Sequence, residues 1–192
     1  MNVLLLTPRP QLLSQAIVKE GDDYEVSMGI PDLWPTDVDY IVSFGYRHKI
    51  NEPYLTQYKD RLINIHTSML PWNRGADPNF WSWFDNTPKG VSVHLVEKAL
   101  DKGPIIGQME ITKWTDKEDL QSSWNFLNQC ASKLFSYEWP RWRNGDWFFL
   151  DTVGEGSYHK STDKDKWMGK LPLKFATPVV EVEMLGAKNR VN

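Results

Sequence analysis

The stretch LINIHTSMLPWNRGADPNFW, Leu62 to Trp81, decides how the chain is read. Its first five residues form a compact apolar run interrupted by Asn64, which predicts a strand over 62–66. Side chains alternate on a strand, so Ile63 and Ile65 face one layer while Leu62, Asn64 and His66 share the other. An amide donor and an imidazole therefore stand side by side near the strand's carboxyl end. In open α/β sheets ligands bind outside that end. Further on, 78–84 reads as a helix.

Outward from this strand, short apolar runs alternate with helical spacing. Val3 to Leu6 is a buried strand closed by Thr7, Pro8 and Pro10. Leu12, Leu13, Ala16 and Ile17 mark a helix over 11–19, and 24–28 a second strand. Pro31 and Pro35 break the chain before a strand over 40–44, closed by Gly45. A short helix over 52–58 follows Asn51. Downstream, 90–96 alternates as a strand and 104–111 is a strand opened by Gly103 and Pro104. Thr115 with Glu118 predicts a capping box for a helix carrying Leu120, Trp124, Leu127, Ala131 and Leu134 at four-and-three spacing, ending near Trp139 because Pro140 follows. The spacing puts Trp124, Trp139, Trp142 and Trp147 between this helix and the sheet, with Cys130 as inert filler. A strand over 147–150 and a Gly/Ser/Lys/Asp-rich stretch over 154–166 complete the reading. The order predicts an α/β fold with a mostly parallel sheet flanked by helices. The expectation is one domain over residues 1–150 and a C-terminal extension over 151–192 packed on the core.

Composition narrows the function. The chain has 192 residues, enough for one domain with an appendage. Lys plus Arg is 22 against Asp plus Glu at 25, a net charge of -3 that supplies no field for nucleic acid. The apolar runs are far shorter than a membrane span, and VLLLTPRP lacks the basic leader of a signal peptide, so the expectation is a cytoplasmic protein with no membrane partner. One cysteine excludes an internal disulfide framework and a thiolate zinc site. No metal is expected. Ten tryptophans call for a Trp-rich core or stacking surfaces.

Asp101 lies in a loop after the strand at 90–96. Asn, His and Asp together suit acyl transfer: an amide donor and an imidazolium stabilise a tetrahedral oxyanion while a carboxylate orients the imidazole. His94, on the polar side of its strand, reads as a satisfied structural histidine.

IVSFGYRHKI, NIHTSMLPWNRGADPNFW and GVSVHLVEKALDKGPII together resemble the formyltransferase family that uses 10-formyltetrahydrofolate. That family includes glycinamide ribonucleotide formyltransferase, methionyl-tRNA formyltransferase and the N-formyltransferases of nucleotide-linked amino sugars; LPWNRGADPNFW, GSYHKSTDK and ATPVVE look most like the last branch. The resemblance implies a Rossmann-like formyltransferase fold with Asn64, His66 and Asp101 as catalytic residues. It implies that Tyr46, Arg47, His48, Lys49 and Ile50 line the pterin pocket, closed by Val96, Glu97 and Leu100. The formyl donor is 10-formyltetrahydrofolate, and the acceptor a small-molecule amine on a nucleotide-linked amino sugar. Trp72, Asn73 and Arg74 are candidate acceptor contacts, Arg74 for a diphosphate, with Tyr158 and His159 adding hydrogen bonds. The family carries a longer stretch before its FGYR-like segment, so a shortened N-terminal half, one β-α unit fewer, is expected. TPRPQLLS stands where a glycine-rich phosphate loop would lie, Ala99 where a Gly and Lys102 where a Thr is usual. The alternatives are a glycinamide ribonucleotide or methionyl-tRNA formyltransferase, or a non-catalytic folate- or nucleotide-binding relative, and a homodimer is one option for assembly.

Overall fold

The structure, a computed structural model, describes residues 1–29, 37–115 and 117–191. The breaks expected at Pro31 and Pro35 lie outside the described residues. Strands β1 (Asn2–Leu6), β2 (Asp23–Ser27), β3 (Tyr40–Phe44), β4 (Leu62–His66), β6 (Gly90–Leu95) and β7 (Ile105–Glu110) form one sheet in the order β2-β1-β3-β4-β6-β7. The pairings β1 with β2, β1 with β3 and β3 with β4 are parallel. Those of β6 with β4 and β7 are antiparallel. The fold is thus an α/β, mostly parallel Rossmann-like sheet flanked by helices. A two-stranded parallel ladder joins β5 (Arg74–Gly75) to β8 (Tyr158–His159).

The near-continuous apolar runs have the reason expected of covered parallel strands: both faces are buried. Val3, Leu5, Val42, Phe44, Ile63 and Ile65 pack in one layer with helices α1 (Ser14–Lys19) and α4 (Leu120–Trp142). Leu4, Leu6, Ile41 and Leu62 point the other way, toward α2 (Glu52–Gln57) and residues Tyr46, Ile50 and Val96. A third cluster joins α3 (Pro78–Phe84) to α6 (Val179–Val191) and to Trp167 of α5 (Asp165–Met168).

Three local expectations need correction. The long helix starts at Leu120, capped by Asp119, whose carboxylate accepts from the Ser122 N–H at 2.6 Å while the Ser122 hydroxyl accepts from the Asp119 N–H at 3.0 Å. Thr115 and Glu118 instead bond to each other at 3.1 Å. Backbone pairing of 118–120 with 177–179 keeps that segment extended, which delays the helix. The helix then runs through Pro140 to Trp142. Proline removes one N–H, but Trp139 before it and Trp142 after it are wholly buried, and Trp139 and Arg143 both donate to Asp22, at 3.1 and 2.7 Å. Finally, 147–150 is no strand: Leu150 alone bridges Ile105, and Phe148 and Phe149 are exposed. Of the four tryptophans, Trp139 and Trp142 fill the core, Trp147 packs at its margin, and Trp124 meets Arg9.

Candidate active site

The antiparallel register of β4 and β6 sets Asn64 opposite His94 and His66 opposite Ser92. On β6, Val91, Val93 and Leu95 enter the α4 layer, so Ser92 and His94 are forced onto the same face as Asn64 and His66. The loop after β6 returns Asp101 to this face in a left-handed conformation, φ 51°. Gly103 lets the loop turn back, for a Cβ there would lie 1.8 Å from the Leu95 carbonyl oxygen.

Four polar side chains thereby converge. Asp101 Oδ1 is 3.4 Å from both Asn64 Nδ2 and His94 Nε2, and Asp101 Oδ2 is 3.8 Å from His66 Nδ1. Asn64 Nδ2 is also 3.1 Å from His94 Nε2. The Gly75 N–H donates to Asp101 Oδ2 at 2.8 Å. His66, His94 and Asp101 are all buried. Burial alone would raise the Asp101 carboxyl. The charge of His66, the hydrogen bond to His94 and the Gly75 N–H prevail and hold it well below the usual carboxylate range.

Backbone carbonyls fix both imidazoles. His66 Nε2 lies 2.9 Å from the Asn73 carbonyl oxygen and His94 Nδ1 2.8 Å from that of Leu95. A carbonyl only accepts, so these ring nitrogens carry protons, and a second proton on either ring faces Asp101. Asn73 is itself locked, at φ 57°: its amide donates to Thr87 Oγ1 at 2.7 Å, its N–H donates to Ser157 Oγ at 2.8 Å, and its Oδ1 accepts from the same hydroxyl at 3.2 Å.

The other candidate residues divide. Tyr46, Ile50 and Val96 border one apolar cluster, while Arg47, His48, Lys49, Glu97 and Leu100 are exposed around it. Trp72 is half-buried in the turn before β5. Arg74 has two backbone acceptors already, Ser157 at 3.3 Å and Glu155 at 3.2 Å, so much of its fork is engaged with the C-terminal segment. His159 stacks on Trp81 with centroids 3.9 Å apart, and its Nε2 sits 2.8 Å from Asp85, while Tyr158 is exposed beside it. The residue missed by sequence reasoning is His94. Its signal was present in GVSVHL, whose alternation puts Ser92 and His94 on one face; the antiparallel register with β4 was needed to put that face beside Asn64.

Comparison with known proteins follows the same line. A family model described as Formyl transferase matches residues 30–133, just over half of the chain. The chain belongs to the formyltransferase family. The formyltransferase PseJ from Anoxybacillus kamchatkensis, solved with UDP-4,6-dideoxy-4-formamido-L-AltNAc and tetrahydrofolate, is 35% identical with a TM-score of 0.90, covering 97% of this chain and 100% of that one. A sugar N-formyltransferase from Shewanella sp. has the same fold, with a TM-score of 0.77 at 19% identity over 97% of this chain and 87% of that one. The methionyl-tRNA formyltransferase of Finegoldia magna is 38% identical over 89 residues, 46% of this chain and 28% of that protein. The matches to curated relatives span about a third of their length. Among the described residues no group of three or more His, Cys, Asp and Glu side chains is placed to hold a metal ion, and no helix is long and apolar enough to cross a membrane.

Proposed function

We propose that this formyltransferase moves a formyl group from 10-formyltetrahydrofolate to the primary amine of a nucleotide-linked amino sugar. The observation that carries the chemistry is the convergence of Asn64, His66 and Asp101 at the carboxyl end of β4, each held by a second group. The amine lone pair attacks the formyl carbon and forms a C–N bond. Charge develops on the formyl oxygen, where the Asn64 amide and the His66 imidazolium hold it. His66 keeps its Nε2–H on Asn73 and carries its second proton at Nδ1. The 3.8 Å separation from Asp101 exceeds a hydrogen bond, so that proton is available to the oxyanion. Collapse breaks the bond to the folate nitrogen, which takes up a proton and leaves as tetrahydrofolate. Asp101 is too weak a base to retain the amine's proton. It stabilises the imidazolium and relays the proton to water.

Support for the acceptor is the 35% identity, over 97% of this chain and 100% of the other, to an enzyme solved with a UDP-linked formamido sugar. Residues 1–150 act as the catalytic domain, and 151–192 as an extension bracing it: Ser157 holds Asn73, and α6 packs on α3. The site needs no metal. The test is incubation with 10-formyltetrahydrofolate and a panel of amines comprising nucleotide-linked 4-amino sugars, free amino sugars, glycinamide ribonucleotide and methionyl-tRNA. Folate absorbance and product mass are followed. Preferential formylation of the nucleotide-linked sugars supports the reading, and preference for either of the last two overturns the acceptor.

A further inference from the structure

The turn after β4 is fastened from far along the chain. β5 pairs with β8, which sets Arg74 beside Tyr158 and Gly75 beside His159. Along an extended segment successive N–H groups point to opposite edges. The Arg74 and Ala76 N–H groups donate to the Ser157 and His159 carbonyls, each at 3.0 Å, and the Gly75 N–H between them is thereby turned the other way, onto Asp101 Oδ2 at 2.8 Å. The two segments come so close that glycine is required on both. A Cβ on Gly75 would lie 2.2 Å from the His159 carbonyl oxygen, and one on Gly156 would lie 2.1 Å from that of Pro71. At the far end of the ladder His159 lies flat on Trp81 of α3, with centroids 3.9 Å apart.

Ser157 adds the contact that reaches His66. Its hydroxyl accepts from the Asn73 N–H at 2.8 Å and donates to Asn73 Oδ1 at 3.2 Å, while its own N–H donates to the Pro71 carbonyl at 3.2 Å. Both hydroxyl bonds thus go to one residue in the left-handed region, φ 57°, a conformation that local hydrogen bonds must support. The Asn73 carbonyl is in turn 2.9 Å from His66 Nε2. One short segment therefore reaches both members of the ion pair, His66 through Asn73 and Asp101 through Gly75. These two anchors set the 3.8 Å between His66 Nδ1 and Asp101 Oδ2.

We propose that Ser157 is a positioning residue for the transfer step: through Asn73 it fixes the His66 imidazole at a distance from Asp101 that leaves the Nδ1 proton to the oxyanion. This rests on the formyl-transfer reading. Without the hydroxyl, Asn73 loses the support for its backbone and the carbonyl that anchors Nε2 drifts. The imidazolium then closes on Asp101, and a hydrogen bond made in the ground state withholds the proton from the transition state. A displacement of about 1 Å at a reacting group can cost about 10²-fold in rate, so a hydroxyl that touches only Asn73 is felt in the chemistry. A mere brace would behave differently, lowering stability while the folded fraction kept its kcat.

Steady-state kinetics with 10-formyltetrahydrofolate and a UDP-linked 4-amino sugar, on wild type, Ser157→Ala, Ser157→Thr, Asn73→Gly and the Ser157→Ala, Asn73→Gly double variant, decide it, with circular dichroism as the check on folding. Ser157→Ala should lower kcat at least about tenfold with both KM values within about threefold, and Ser157→Thr, which keeps the hydroxyl, should restore most of the rate. Asn73→Gly keeps the left-handed backbone and the carbonyl but loses the bond to Ser157 Oδ-side, so the double variant should be no slower than Asn73→Gly alone. Nitrogen-15 spectra of histidine-labelled protein read the same link without turnover: the His66 Nε2–H signal should stand out in wild type and broaden or vanish in Ser157→Ala. Wild-type kcat and an unchanged Nε2–H signal in folded Ser157→Ala overturn the assignment, and so do losses that add in the double variant. If Ser157→Ala does not fold, Asn73→Gly carries the test, and wild-type kcat there overturns it; unfolding of both makes Ser157 a residue of the fold and overturns it too. A wild type that formylates no amine sinks the formyl-transfer reading instead, and the Nε2–H signal still reports the link from Ser157 to His66.

Discussion

Asp101→Asn isolates what the carboxylate does, because the amide keeps its shape and can still accept from the Gly75 N–H that is now 2.8 Å from Oδ2. The change removes a negative charge 3.8 Å from His66 Nδ1 and 3.4 Å from His94 Nε2. At an effective dielectric of about 20, a unit charge at the longer distance is worth about 4 kcal/mol to an imidazolium on His66. The replacing amide dipole recovers part of this. At about 1.4 kcal/mol per tenfold, turnover should fall roughly 10²- to 10³-fold. The loss should appear in kcat, since the imidazolium matters most when the oxyanion forms, and KM for folate should stay within about threefold. Steady-state assays with the folded variant read both numbers. Turnover within about threefold of wild type would refute the assignment of Asp101 as the partner of a cationic His66.

The same carboxylate gives a pH prediction. Its folded-state pKa lies below the unfolded value, so its stabilisation is complete above the ordinary carboxylate range, about pH 4, and is lost as pH falls below that. Urea midpoints of wild type and Asp101→Asn should therefore converge between about pH 5 and pH 2; parallel curves would contradict it. His94→Ala removes a polar partner from both Asn64 and Asp101, and should cost at least about tenfold in turnover with the fold retained; wild-type kinetics would return His94 to a structural role. Gly103→Ala puts a methyl group against the Leu95 carbonyl and displaces the loop that carries Asp101, so activity should fall more than thermal stability does. Asp22→Ala strips Trp139 and Arg143 of their shared acceptor and should lower stability by about 3 kcal/mol in denaturant titration, with kcat of the folded fraction unchanged.

The sheet was legible because its strands are short apolar runs closed by Gly or Pro, as Tyr40 to Phe44 and Leu62 to His66 show. The mutual approach of Asn64, His66 and Asp101 was also anticipated, from the chain's resemblance to a family and from strand alternation. What local sequence did not reveal depends on register or on distant partners. His94 joins the site only because β6 runs antiparallel to β4, and alternation alone cannot say which strand lies beside which. The contact of Arg9 with Trp124, far along the chain, is tertiary in the same way. Pro140 reads as a helix stop because propensity is local, whereas burial of Trp139 and Trp142 is tertiary and prevails. The Thr115 cap failed for a similar reason: pairing of 118–120 with 177–179 holds that segment extended.

The central claim is formyl transfer at His66, and single-turnover mixing of wild type and His66→Ala with 10-formyltetrahydrofolate and a UDP-linked 4-amino sugar tests it most directly, with quench-flow mass spectrometry of the sugar. The account predicts one formamide sugar per tetrahydrofolate released by the wild type, and a rate at least about 10²-fold lower in His66→Ala with folate binding retained. Equal rates in the two proteins, or folate breakdown without a formylated sugar, would contradict it.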